Sequence, residues 1–262
     1  MKKFYNNNTK TLIIPHYYGQ KIKNIPKETQ IIIFEENFDL YELSLFNHPI
    51  NSSTIKINNL ICGNVNTSSF SNLNNLTHLT FGWFFNQSVD KLPKNLIHLT
   101  FGHKFNKTIN KLPKKLTHLI LGYEFNQKVN NLPLSLICLT FGKKFNQSIN
   151  NLPKNLTHLT FGDHFNQSID NLPINLTHLI VGDYFNKKVD NLPKKLNHLS
   201  FGWYFNCPLN NLPNSLIYLK LGYEYTHPID KLPNNIETIE IMKNTKNILK
   251  DIPKNCIIIK NW

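Results

Sequence analysis

The chain has 262 residues, among them 29 lysines but no alanine and no arginine, and carries a formal charge of +13. That length allows one large or two ordinary domains, and the charge raises nucleic acid or an anionic surface as a partner. Base readout and bidentate phosphate contacts favour the guanidinium fork that this chain lacks, and its lysines are scattered over loop-like positions, so nucleic acid is disfavoured. No stretch approaches the length of a membrane span, and Met1 to Asn8 hold no apolar leader segment, so an intracellular protein that is neither secreted nor membrane-bound is expected. Cys62, Cys138, Cys207 and Cys256 show neither disulfide nor metal spacing, which predicts independent thiols in a reducing compartment.

In chain order, the first predicted elements are worn copies of a repeat. Tyr18 to Pro26 fit a frame, Phe-Asn-x-x-Ile-x-x-Leu-Pro, that later stretches state cleanly, and Ile32 and Phe34 stand where later copies place the residues before a glycine. The frame slips between Phe38 and Phe46, predicting a bulging loop near 39–45. It resumes at Phe46-Asn47-His48-Pro49-Ile50, followed by Ile57, Leu60, Cys62 and Gly63. One further copy is a residue short. We therefore expect a single solenoid domain over 1–262, with degenerate coils over 1–72, regular twenty-residue repeats over 73–231 and a degenerate cap over 232–262.

The regular part fixes the local structure. Leucine precedes proline at 92, 112, 132, 152, 172, 192, 212 and 232, recurs at 96 to 216 and at 99 to 219, and is followed two places on by Phe, Leu or Val and then always by glycine. Leu99 and Phe101 alternate with His98 and Thr100, the period of a short strand of four or five residues with one face buried. Gly102 either turns the chain with positive φ or lets backbone pass close to the next coil. Phe105, Ile109 and Leu92 complete the apolar columns, and Pro93 with the Asn-rich steps forbids a full helix, leaving short 3₁₀ or extended turns. One coil cannot bury enough surface to order its own backbone, so the units must stack, with about thirteen strand-bearing coils pairing in parallel at ~4.8 Å.

Stacking turns columns into candidate sites. His78, His98, His118, His158, His178 and His198 form a ladder, with Cys138 and Tyr218 at equivalent points. Such a ladder can share metal or protons, or be part of the repeat, with rings edge to edge and bonded to threonine. A flat row lacks the closed, convergent geometry of a metal centre, and no metal is expected. The Asn86 to Asn206 column reads as inward amides that satisfy backbone groups left unpaired at a bend. Asp90, Asp170, Asp190 and Asp230 alternate with Asn at a turn and do not form carboxylate pairs. With no nucleophile triad, phosphate loop or nucleotide fingerprint, neither catalytic residues nor cofactors are expected, and the chain reads as a non-enzyme. The pairs after each glycine vary from coil to coil, and variable positions carry specificity in solenoids. Trp83, Phe84, Tyr123, Tyr184, Trp203, Tyr204 and Tyr223, with His98, His118, His158, His178 and His198, are the candidate partner-binding residues.

The spacing Leu-x-x-Leu-x-Phe-Gly-x-x-Phe-Asn-x-x-Ile-x-x-Leu-Pro, in register from about 72 to 242, resembles the FNIP repeat, a relative of the leucine-rich repeats. That family is abundant in social amoebae and in giant viruses of amoebae, whose AT-rich coding fits the heavy use of Asn, Lys, Ile and Phe. The resemblance implies an all-β-leaning, right-handed, leucine-rich-repeat-like β-solenoid with one parallel sheet and little or no α-helix. It also implies a protein–protein interaction scaffold in the host cytoplasm, its partner a protein of the amoebal host or of the virus itself. Some viral relatives carry an F-box ahead of the array; the first fifty residues here read as repeats, so a ubiquitin-ligase link stands by family analogy only.

Overall fold

The sequence puts one apolar side chain at every second strand position and interrupts each coil with proline and glycine, and strands joined by tight turns result. The computed structural model describes residues 5–14, 29–34, 59–62, 73–242 and 248–260. The loop expected at 39–45 and the worn frame of Tyr18 to Pro26 lie outside these residues. Among the described residues there is no helix, and hence none long and apolar enough to cross a membrane.

Two compact units are formed. The first, Met1–Phe125 with Asn131–Leu136, holds β1 (Tyr5–Asn6), β2 (Thr11–Ile14), β3 (Ile31–Phe34), β4 (Asn59–Cys62), β5 (His78–Phe81), β6 (His98–Thr100) and β7 (His118–Ile120). From β2 to β7 the strands are parallel neighbours, with His78, His98 and His118 in one register and Leu79, Leu99 and Leu119 in the next. The antiparallel pairing of β1 with β2 was not expected from the repeat frame. It follows from Asn6, whose Oδ1 accepts from the amides of Asn8 and Thr9, and from Lys10, whose φ of 53° tightens the hairpin.

The second unit, Asn126–Asn130 with Ile137–Trp262, holds β8 (Cys138–Thr140), β9 (His158–Thr160), β10 (His178–Ile180), β11 (His198–Ser200), β12 (Tyr218–Leu221), β13 (Thr238–Ile241) and β14 (Ile257–Lys260). All pair in parallel in chain order, so each unit is a short β-solenoid. Thirteen of the fourteen described strands belong to these parallel ladders, the number expected of strand-bearing coils.

Most regular strands are three residues long, shorter than the expected four or five, although the ladder continues one bond further where Phe161 N–H donates to Ile180 O at 2.9 Å. Turns then close with i→i+3 bonds, as from Leu156 N–H to Pro153 O at 3.1 Å and from Phe165 N–H to Gly162 O at 3.2 Å. No described glycine has positive φ; glycine is needed instead because a Cβ at Gly182 would lie inside the carbonyl of Gly162 and 2.5 Å from Asp163 Cα. The core is made of the expected leucine and phenylalanine columns, with one redistribution. Pro93, Pro113, Pro133, Pro153, Pro173 and Pro193 are buried, while the leucine before each is half-buried except at 132. Proline here is a packing residue as well as a helix breaker.

Candidate interaction surface on the open sheet face

Each three-residue strand buries its central leucine and turns the residues on either side outward, so the open face of each unit is built from two columns. In the first unit, over β5 to β7, these columns hold His78 and Thr80, His98 and Thr100, and His118 and Ile120; in the second, over β8 to β11, they hold Cys138 and Thr140, His158 and Thr160, His178 and Ile180, and His198 and Ser200. None carries a formal charge at neutral pH. Next along the second unit come Lys220 and Glu240, joined at 2.6 Å, with the Tyr218 hydroxyl donating to the same carboxylate. Burial first, and then Glu240, push the Tyr218 phenol up to about 12.

The histidines stack face to face, not edge to edge as expected. Ring centroids are 4.2 Å apart for His78–His98 and 4.1 Å for His98–His118 in the first unit. In the second they are 4.1 Å for His158–His178 and 4.3 Å for His178–His198. The expected threonine bonds are present: Nδ1 lies 2.8 Å from Thr157 Oγ1 in His158 and 2.9 Å from Thr177 Oγ1 in His178, and Asn197 Oδ1 serves His198 at 2.9 Å. Parallel rings send their lone pairs in the same direction, so neighbours do not converge on one ion. Among the described residues no group of three or more His, Cys, Asp or Glu is placed to hold a metal.

Burial, and then the neighbouring imidazoles His158 and His198, hold His178 below its ordinary value near 6.5; burial leads likewise at His98, followed by His78. A base whose folded pKa is depressed binds fewer protons than in the unfolded chain between the two values, so stability rises with pH across that window. The melting temperature is therefore expected to fall as pH drops from about 7.5 through about 6.5 and to level off below the folded value. Calorimetry against pH checks this, and His178→Thr, using the residue that Thr238 supplies in the same column, is expected to make the fall shallower.

A second row lies past each glycine, five residues beyond the histidines. Trp83, Phe84, Tyr184, Trp203 and Tyr204 are exposed, whereas Tyr123 and Tyr223 are half-buried. Their rings stack between coils: Trp83 on His103 at 4.1 Å and His103 on Tyr123 at 4.4 Å, then Tyr184 on Tyr204 at 5.2 Å and Trp203 on Tyr223 at 4.6 Å. Charges among these pairs neutralise one another, as in Lys143–Asp163 at 2.9 Å. Reading for conspicuous chemistry missed the isoleucines of the open face and its flank, Ile97, Ile120, Ile137 and Ile180, each more than a third exposed. Their signal is two columns, one with Ile97 and Ile137 and one with Ile120 and Ile180, in which isoleucine alternates with threonine where burial would have demanded leucine at every coil.

The asparagine column is structural, though not inward-buried. Asn146 Oδ1 accepts from Asn166 N–H at 3.0 Å and from Gln167 Nε2 at 3.0 Å, and Asn166 Oδ1 repeats the backbone bond to Asn186. Asn146→Ala is expected to cost about 1–2 kcal/mol by orphaning the Asn166 amide, read as a lowered denaturation midpoint with unchanged strand content.

FNIP Repeat family models match residues 85–123, 105–144, 125–164, 145–171, 165–202, 188–223 and 209–244. Among solved structures the chain is similar to CroV588, a circular LRR protein of a giant virus, with 34% identity, a TM-score of 0.77, and coverage of 98% of this chain and 44% of that one. The chain thus spans less than half the length of CroV588. An internalin from Listeria monocytogenes (14% identity, TM-score 0.59, 97% of this chain and 87% of that one) shares the fold. So does YopM from Yersinia enterocolitica (17%, TM-score 0.53, 97% and 64%). No curated protein matches the sequence.

Proposed function

The chain belongs to the FNIP repeat family, and from that premise we propose that it is a non-enzymatic scaffold that holds another protein against the open sheet face. One observation carries this reading: in a chain with 29 lysines, the outward positions of β5 to β11 hold none, nor any carboxylate. Depletion of charge at the centre of a patch, with aromatics beside it, is the compositional mark of a protein interface. A polyanion-binding surface would be expected to gather lysine on its contact face, and among the described residues every lysine but Lys220 and Lys260 lies outside the strands. The site of action follows as intracellular, in the cytoplasm of an amoebal host, with a host or viral protein as partner.

The test compares capture from an amoebal extract by the native chain, by Ile180→Lys, and by Lys194→Asn with Lys195→Asn, the last pair taking residues that other coils use at those places. The expected result is one defined protein that stays bound at about 0.5 M salt, where unburied charge pairs are screened, is lost with Ile180→Lys and is indifferent to the lysine changes. Loss of all binding at that salt, or loss with the lysine variant alone, would contradict the reading.

A further inference from the structure

Carboxylates are outnumbered in this chain, 16 against 29 lysines, yet the row past the glycines of the second unit holds Asp163, Asp183 and Glu224. One column of that row runs Lys143, Asp163, Asp183, Trp203 and Tyr223, one residue per coil. Lys143 bridges to Asp163 at 2.9 Å, which leaves Asp183 between a neutralised carboxylate and an indole. Among the described residues no lysine pairs with Asp183, whose one bond is accepted by Oδ1 from the Trp203 backbone N–H at 3.1 Å. The coil itself does not demand a carboxylate here: lysine, tryptophan and tyrosine fill the same place elsewhere, and like charges side by side repel.

The indole of Trp203 is covered on one face only. Tyr223 stacks on it from the following coil, with centroids 4.6 Å apart and rings within 18° of parallel. The other face looks back toward the preceding coil, where the column supplies the short side chain of Asp183 in place of a ring. That carboxylate is held against the Trp203 backbone, so the outer part of the indole stays bare, and Trp203 is 42% exposed. The same column of the first unit has no such gap, because Trp83, His103 and Tyr123 stack without a break at 4.1 and 4.4 Å. In the neighbouring column Tyr184 and Tyr204, next in chain to Asp183 and Trp203, are exposed and stack at 5.2 Å.

A bare aromatic face with a carboxylate at its edge is the chemistry that receives a planar cation. We propose that Asp183 and Trp203, flanked by Tyr184 and Tyr204, receive a single arginine side chain of a protein partner. The guanidinium stacks on the indole and donates an N–H to Asp183 Oδ2. The proposal rests on the scaffold reading and adds the chemistry of one anchor on the partner. The chain holds no arginine, so neither a second copy nor its own loops can supply the group. Its charge of +13 opposes a basic run, which limits the partner to an isolated arginine at this point. A lysine ammonium is compact and strongly hydrated and gains less from a flat face.

A random peptide library selected on the immobilised native chain at about 0.15 M salt tests this. The comparison chains are Asp183→Asn, which keeps the acceptor for the Trp203 amide and removes the charge, Trp203→Leu, and Ile180→Lys, each checked for folding by melting. The expected peptides share one arginine, and its replacement by citrulline, a neutral group of the same shape, weakens binding to the native chain about fivefold or more. On Asp183→Asn and on Trp203→Leu the same replacement should change binding by less than about twofold. Absence of a shared arginine, an undiminished citrulline effect on Asp183→Asn, or lysine serving equally well overturns the proposal. Peptides lost with Ile180→Lys but indifferent to Asp183→Asn and Trp203→Leu overturn the arginine site and leave the scaffold standing. Peptides indifferent to all three variants, or no enrichment, count against both.

Discussion

Gly182→Ala is expected to destabilise the second unit by more than about 3 kcal/mol, measured as the shift of its urea midpoint. The sign is informative, because the usual rule points the other way. No described glycine has positive φ, and a Gly→Ala change at an accessible backbone geometry stabilises by about 0.4–1 kcal/mol through the unfolded chain. Here the new methyl would lie inside the carbonyl of Gly162 and 2.5 Å from Asp163 Cα, and both obstacles are backbone. Side-chain rotation cannot relieve that contact; coils must part, and with them the β9–β10 ladder. Hydrogen exchange is expected to show the loss centred on β9 and β10. A midpoint equal to or above that of the native chain would mean that the coils are not in contact at this column.

Phe165→Ala should be nearly as severe, at about 3–5 kcal/mol. The ring is fully buried, lies 3.8 Å from Phe161 within its own coil and 6.0 Å from both Phe145 and Phe185 in the neighbouring coils. Its removal opens a cavity that faces two interfaces at once, and the short strands cannot collapse into it because their backbone register is set by in-line pairing of Leu159 with Leu139 and Leu179. Phe165→Leu keeps most of the volume and should cost about 1.5 kcal/mol or less. Equal losses for the two variants would indicate an aromatic requirement beyond packing.

Much of this fold was legible because stacking demands the same residue at the same point in every coil. Leu99, Phe101 and Phe105 could be assigned to the core from their columns, and the chain-order parallel ladder follows from a twenty-residue period too short for anything but neighbouring coils. Two features were hidden for physical reasons. Proline at 93 was read through its backbone, as a breaker, although its ring is also apolar and lies in the core while Leu92 is half-buried. Glycine at 102 admitted two explanations, a positive φ or a close approach, that no single sequence can separate, because both require the missing Cβ. The β1–β2 hairpin depends on one asparagine cap and one residue at positive φ and leaves no periodic trace.

The site was legible in a different measure. The histidine row and the pairs after glycine were visible as columns, and Trp83, Phe84, Tyr184, Trp203 and Tyr204 are exposed. What periodicity cannot reveal is how the rings are held: Nδ1 of His158 and of His178 lies against the hydroxyl of the threonine before it, at 2.8 and 2.9 Å. The functional weight therefore moves from the histidines as potential ligands or acids to the uncharged surface they share with Thr160, Ile180 and Ser200.

Photo-cross-linking tests that surface most directly. A photoreactive phenylalanine replaces Ile180 on the open face in one chain and Lys194 on a turn in another, and both are irradiated in amoebal extract at about 0.5 M salt. The expected result is a discrete protein adduct from position 180 and none from position 194. An adduct from position 194 alone, or nucleic acid bound at 194 and nothing at 180, would contradict it.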